Sequence, residues 1–252
     1  MKYSHVVFDI DGTIIDSEKA VLKSLRKTIF EELDELKDLE ELKFALGIPG
    51  EDALKKLGIK NLDFVLKKWD EYFKEYKEDI VVFDGIEEVL NNLKLNKINL
   101  GIITSKTKTE LKDDFLCFKF SELFQTIVCA DDTKRHKPFK DPMEKYLEIS
   151  SAKRDEVIYI GDSIYDRNCA VDAKVDFGLA LWGATDKEIK STYKLNNPKD
   201  IESIILNYDK EVFSLACELQ YIARVGLKES KFSDDKKRYK RVADISVELA
   251  NK

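Results

Sequence analysis

Short apolar runs rich in β-branched and aromatic residues recur along the chain, and the stretches between them repeat their apolar positions every three or four residues. Residues 4–9, 98–104, 126–130, 157–161 and 177–181 read as buried strands, since polar alternation is missing from them. Helix starts stand between the later runs. Asp84-Gly-Ile-Glu87 and Thr107-Lys-Thr-Glu110 have the spacing of a capping box. Asp141-Pro142-Met-Glu144 joins an N-cap to a proline at the first helical position, and Thr185-Asp-Lys-Glu188 is expected to open a further helix. Strands alternating with helices in this way imply right-handed crossovers and a mainly parallel sheet covered on both faces.

One interval breaks the alternation. Between residues 17 and 78 only helical periodicity is found: Val21, Leu22, Leu25 and Ile29, then Leu62, Val65, Leu66, Trp69 and Phe73. This predicts an inserted layer of about four helices, interrupted by an ordered loop at Gly47-Ile-Pro49-Gly50. After about residue 207, Val212, Leu215, Leu219 and Ile222 mark one amphipathic helix and Tyr239, Val242 and Leu249 another, with Gly226 near the expected break. The fold class that follows is α/β. A Rossmann-like, mainly parallel sheet core occupies 1–16 and 80–207, an α-helical cap 17–79, and a C-terminal helical hairpin 208–252.

Composition narrows the setting. At 252 residues, the chain can bury one large core or two modest ones. A net charge of -6 argues against general nucleic-acid affinity. No apolar run is long enough to span a bilayer, and the N-terminus enters a strand without a signal-like core. Cys117, Cys129, Cys169 and Cys217 lack CxxC spacing, so buried, reduced thiols and a cytoplasmic location are expected.

Polar residues collect where the strands end. Asp9 and Asp11 close the first run, and their spacing points both carboxylates to one side if the strand continues. Gly12 then lets the chain turn and brings backbone N–H groups close. Thr104-Ser105 closes the second run. Lys137 precedes the Asp141 helix, and Gly161-Asp162-Ser-Ile-Tyr-Asp166 ends the fourth. Taken singly, each has a plain reading as a turn, a solvated lysine or a helix cap. Together they suit phosphoryl transfer, in which cations and hydroxyls offset the charge on the phosphate oxygens. Several carboxylates in one oxygen-rich site favour Mg²⁺ over zinc.

The order Asp9-x-Asp11-Gly-Thr, Thr104-Ser, Lys137-Pro and Gly161-Asp162-Ser-x-x-Asp166 resembles the haloacid-dehalogenase-like hydrolase superfamily over roughly residues 4–206, with the overall look of its phosphoglycolate-phosphatase-like branch. The resemblance implies Asp9 as nucleophile, Asp11 as general acid/base, and Thr104, Ser105 and Lys137 as phosphate ligands. It also implies Mg²⁺ held by Asp9, the Asp11 carbonyl and Asp162, with Asp166 at or near the metal. Dehalogenases proper lack the second acid, so Asp11 favours phosphoryl chemistry. Cap loops choose substrates in this family, which makes Gly47, Pro49 and Gly50 a substrate loop. Related β-phosphoglucomutases carry an arginine where Gly50 stands, which weakens the mutase alternative.

The implied activity is hydrolysis of a small phosphorylated metabolite of phosphoglycolate, sugar-phosphate or nucleotide type, through an aspartyl phosphate. A second alternative is a phosphate- or nucleotide-sensing protein that recruits a partner protein through the hairpin. Leu219-Gln-Tyr-Ile-Ala-Arg-Val-Gly-Leu-Lys228 and Asp244-Ile-Ser-Val-Glu-Leu are similar to the segment preceding some bacterial Nudix hydrolase domains. An ordinary packing hairpin is the reading those residues favour. No nucleic-acid or membrane partner is expected.

Overall fold

Val6, Val7 and Phe8 are fully buried in the middle of a parallel sheet, as a run without polar alternation should be. The computed structural model describes residues 2–206, 210–230 and 232–250. Among them the strands are β1 (His5–Phe8), β2 (Ile15–Asp16), β3 (Val81–Val82), β4 (Asn99–Ile103), β5 (Thr126–Val128), β6 (Val157–Gly161), β7 (Asp176–Ala180) and β8 (Tyr193–Leu195). Six form one sheet in the order β5-β4-β1-β6-β7-β8, each neighbouring pair parallel. The chain leaves β1 for β4 on one side and returns to β6 on the other. A crevice therefore opens at the carboxyl end of β1, where strand order reverses.

β2 and β3 pair antiparallel in a separate ribbon, Ile15 opposite Val82 and Asp16 opposite Val81. Between them runs the helical insertion: α1 (Glu18–Leu33), α2 (Leu39–Leu42), α3 (Gly50–Lys56) and α4 (Leu62–Phe73). Its apolar stripes meet in a core of their own that includes Leu22, Leu25, Ile29, Val65 and Trp69. The buried Trp69 Nε1 donates to Ser24 Oγ at 2.9 Å, which fixes α4 on α1. The sheet is covered by α5 (Ile86–Leu95), α7 (Asp141–Ser150) and α8 (Ile164–Asp172), while α6 (Lys108–Asp114) follows β4 and α9 (Asp200–Ile205) follows β8.

Local expectations fared unevenly. The Thr107 capping box forms, with Thr107 Oγ1 accepting from Glu110 N and Glu110 Oε2 accepting from Thr107 N. The Asp84 box does not, because Gly85 at φ +87° takes the N-cap position of α5. Thr185 opens no helix. There the chain passes over the end of β1, where Trp182 Nε1 donates to the Thr13 carbonyl at 3.0 Å, before it turns into β8. β8 and the β2–β3 ribbon escaped the pattern because two or three residues are too short to show periodicity. Cys129 and Cys169 are buried free thiols, but Cys117 is exposed.

The chain divides into two compact units, Lys2–Asp200 and a C-terminal one from Ile201. In the latter, α10 (Lys210–Glu229) and α11 (Ser233–Ala250) pack on each other. Gly226 lies near the break between them, inside α10 and three residues before its end. A Cβ there would lie 2.2 Å from the Tyr239 ring, so glycine is what lets the two helices approach. Residue 208, where the hairpin was expected to begin, and the side chains of Val212 and Cys217 lie outside what is described. Among the described residues no helix is long and apolar enough to cross a membrane.

Candidate active site

The ends of β1, β4 and β6 bring the anticipated residues together. Asp9 stands directly after β1, is 2% exposed, and donates its N–H to the Ile160 carbonyl, so it continues the ladder. Lys137, 3% exposed, reaches Asp9 Oδ1 at 2.9 Å and Asp166 Oδ1 at 2.7 Å. Carboxylate oxygens of Asp9, Asp162 and Asp166 lie within 4.8 Å of one another, a group that could hold a metal ion. The Asp11 carboxylate is not part of that group. It accepts from Ser17 Oγ at 2.5 Å and pairs with Lys106 Nζ at 3.3 Å. Thr104 is buried at the end of β4, and its Oγ1 accepts from Lys106 N. Ser105 Oγ donates to the Gly47 carbonyl at 3.2 Å, which ties the cap loop to the core.

Backbone shape makes this convergence possible. Gly12 adopts φ +81°, and a Cβ on it would sit 2.4 Å from Asp162 Oδ2. Any side chain would force the first-strand turn away from the β6 carboxylate. Gly183 packs as closely, since a Cβ there would meet the Gly12 carbonyl. Asp166 is both site residue and cap. Its Oδ2 accepts from Ser163 N at 3.0 Å at the start of α8, while its Oδ1 faces Lys137. The plain reading of Asp166 as a first-turn residue and the functional one are satisfied by different oxygens of one side chain.

Burial dominates the electrostatics. It pushes Asp9 up to about 7 against the pull of Lys137, with Asp166 and Asp11 adding to the rise. Asp162 is also raised well above the carboxylate range, by burial and then by the charges of Asp166 and Asp9. Burial opposes the charge on Lys137, yet Asp166 and Asp9 override it and hold its ammonium well above the ordinary lysine value. Three carboxylates facing one ammonium leave two negative charges unmatched when all are ionised. Buried charge of that kind calls for a cation, and the donors are all oxygen. The site therefore fits a hard divalent ion.

Several participants went unrecognised in the sequence. Lys106, next to Thr104-Ser105, is largely enclosed between Asp11 and Asp114, at 3.3 and 3.4 Å, under the Phe73 ring of the cap. Burial lowers its pKa, but Asp11, Asp114 and Glu110 outweigh that and raise it overall. The Tyr159 hydroxyl lies 2.9 Å from both the Ile103 carbonyl and Asp166 Oδ1, one of which takes its proton. A tyrosine in the otherwise aliphatic 157–161 run was the available signal. Above these groups, between cap and core, lies a cavity of about 390 Å³ whose wall includes Gly47, Gly50, Trp69, Asp70, Phe73 and Trp182. Pro49 is buried as the N-cap of α3 and is not in the wall.

Residues 6–180 match the haloacid dehalogenase-like hydrolase family, and the chain belongs to that family. It is a hydrolase of phosphoric esters within it. A "putative pyrophosphatase PpaX" of Caldanaerobacter subterraneus subsp. tengcongensis is 30% identical over 216 residues, which cover 84% of this chain and 98% of that protein. The pyrophosphatase PpaX of Bacillus cereus (strain G9842) is 23% identical over 215 residues, 83% of this chain and all of the relative. Among solved structures, a "putative phosphoglycolate phosphatase" from Lactobacillus plantarum superposes with a TM-score of 0.75 at 27% identity, covering 81% of this chain and 100% of its own.

Proposed function

We propose that this protein is a Mg²⁺-dependent phosphomonoesterase that works through an aspartyl phosphate on Asp9. The observation that carries the reading is the contact of Asp9 with Lys137 at 2.9 Å inside the Asp9–Asp162–Asp166 group, at the strand-order reversal. Asp9, Asp162 and Asp166, with the Asp11 carbonyl, would hold the ion, which when bound draws charge from the phosphoryl oxygens. An Asp9 oxygen attacks phosphorus and the bond to the ester oxygen breaks. Asp11, held from one side by Ser17 and from the other by Lys106, gives its proton to the leaving alkoxide. It then takes a proton from the water that attacks the aspartyl phosphate, which releases inorganic phosphate and restores Asp9. Lys137 opposes the burial that favours the neutral Asp9 carboxyl and holds that side chain in place, and Thr104 and Ser105 border the phosphoryl site.

The mutase alternative finds less support. A side chain on Gly50 would begin 2.8 Å from Leu66 Cδ1 and 3.4 Å from Trp69, so the position carries no cation and has little room for one. Phosphate release by the whole chain, with and without Mg²⁺, tests the proposal. Asp9→Asn should end turnover while leaving the circular dichroism spectrum unchanged, and a variant as active as the parent would refute the nucleophile assignment.

A further inference from the structure

The cavity over the carboxylates has two kinds of wall. One is apolar and aromatic, formed by Phe44, Ile48, Leu66, Trp69, Phe73 and Tyr165. About 390 Å³ falls in the range of roughly 300–1,000 Å³ that encloses organic ligands with rings. Leu66 fills the place next to the cap-loop Gly50, so the loop adds surface there rather than charge.

The other wall is charged, and its cations are spoken for. Lys43, Lys74 and Lys106 are the basic residues lining the cavity among the described residues. Lys43 pairs with Glu40 at 2.8 Å and Glu18 at 3.6 Å. Lys74 pairs with Asp113 at 3.1 Å, and Lys106 lies between two carboxylates. Asp70 projects from the cap into the same wall beside Glu110 and Asp114. Its carboxyl is pushed up to about 6, by burial first and then by those two acids. A second anionic group on a bound molecule would meet this acidic wall and no unpaired lysine. Such a juxtaposition repels, whereas an uncharged ring would rest on the aromatic wall.

We infer that the cavity selects phosphate monoesters whose alcohol is uncharged and carries a ring, and disfavours leaving groups with a second anionic group, such as phosphoglycolate and pyrophosphate. This rests on the phosphatase reading above and sharpens it. The test is steady-state phosphate release by the full chain with Mg²⁺ from uridine 5′-monophosphate, phosphoglycolate, pyrophosphate and p-nitrophenyl phosphate. The expected kcat/KM for the nucleotide is about tenfold or more above that for phosphoglycolate and for pyrophosphate. Equal values, or preference for either doubly anionic substrate, would overturn the inference and leave the phosphatase reading standing. Release from none of the four would remove both. Asp70→Lys, with an unchanged circular dichroism spectrum, should move the phosphoglycolate-to-nucleotide ratio about tenfold towards phosphoglycolate. A ratio that does not move counts against the charged wall as the selector.

Discussion

The two sides of the cavity are built on opposite principles. On the core side, charged and polar groups are tied into one network: Lys137 joins Asp9 to Asp166, Ser163 caps onto Asp166, and Tyr159 braces it from β6. On the cap side, α1 and α4 contribute apolar surface, one buried indole hydrogen bond from Trp69 to Ser24, and the unpaired Asp70. A network with every partner in place is rigid and tolerates little change. A hydrophobic layer can exchange residues of similar volume and still fold. Chemistry is therefore held by the core and selection by the cap, and the two should respond differently to substitution.

The largest effects should come from the core. Asp9→Asn, or removal of divalent ions with a chelator, should lower kcat by roughly 10⁴-fold or more, read as phosphate release. Restoration by Mg²⁺ but not by Na⁺ would support the ion's place there. Lys137→Met should lower kcat by roughly 10²–10³-fold. It should also cost about 3–5 kcal/mol in urea unfolding, because two buried carboxylates lose their shared cation. Gly12→Ala imposes a left-handed φ on a residue with a side chain and drives it into Asp162, so a loss of about tenfold or more in kcat is expected.

Cap substitutions should act more gently and on another parameter. Trp69→Phe removes the hydrogen bond to Ser24, for about 1 kcal/mol of stability, and alters the cavity wall. KM should rise several-fold while kcat stays within about twofold. An equal fall in kcat would break the division between the two sides.

The smallest effect concerns pH. Because the Asp70 pKa is raised to about 6 in the folded chain, from an ordinary value near 3.8, its favourable contribution is present below the unfolded value and lost as pH rises through 6. Asp70→Asn should melt slightly higher than the parent at pH 7.5, with the gain shrinking by pH 4.5. A constant difference across that range would show that Asp70 does not titrate as its surroundings suggest.

Legibility followed the same divide. Asp9, Thr104, Asp162 and Asp166 could be read from the chain because each stands at a strand end or helix start, where local pattern is strong, and Lys137 because it sits in the loop that leads into α7. Lys106 and Asp70 could not, since each is an ordinary charged residue on a loop or helical segment until the fold places Lys106 against Asp11 and Asp70 in the cavity wall. Gly226 stands near the helix break, as expected, but its packing role could not be read. Glycine marks a break in local pattern, and here it also marks the close approach of Tyr239.

Alternation of apolar runs with helical repeats was enough to determine a parallel α/β core with a helical insertion, because burial and periodicity are local properties of the chain. The choice of which acids share the buried cluster, and which one turns instead to Ser17 and Lys106, belonged to the tertiary structure. So did the charge of the cavity wall, because it depends on pairs such as Lys106 with Asp11 and Lys74 with Asp113, 95 and 39 positions apart, which meet only once the cap and the core have folded.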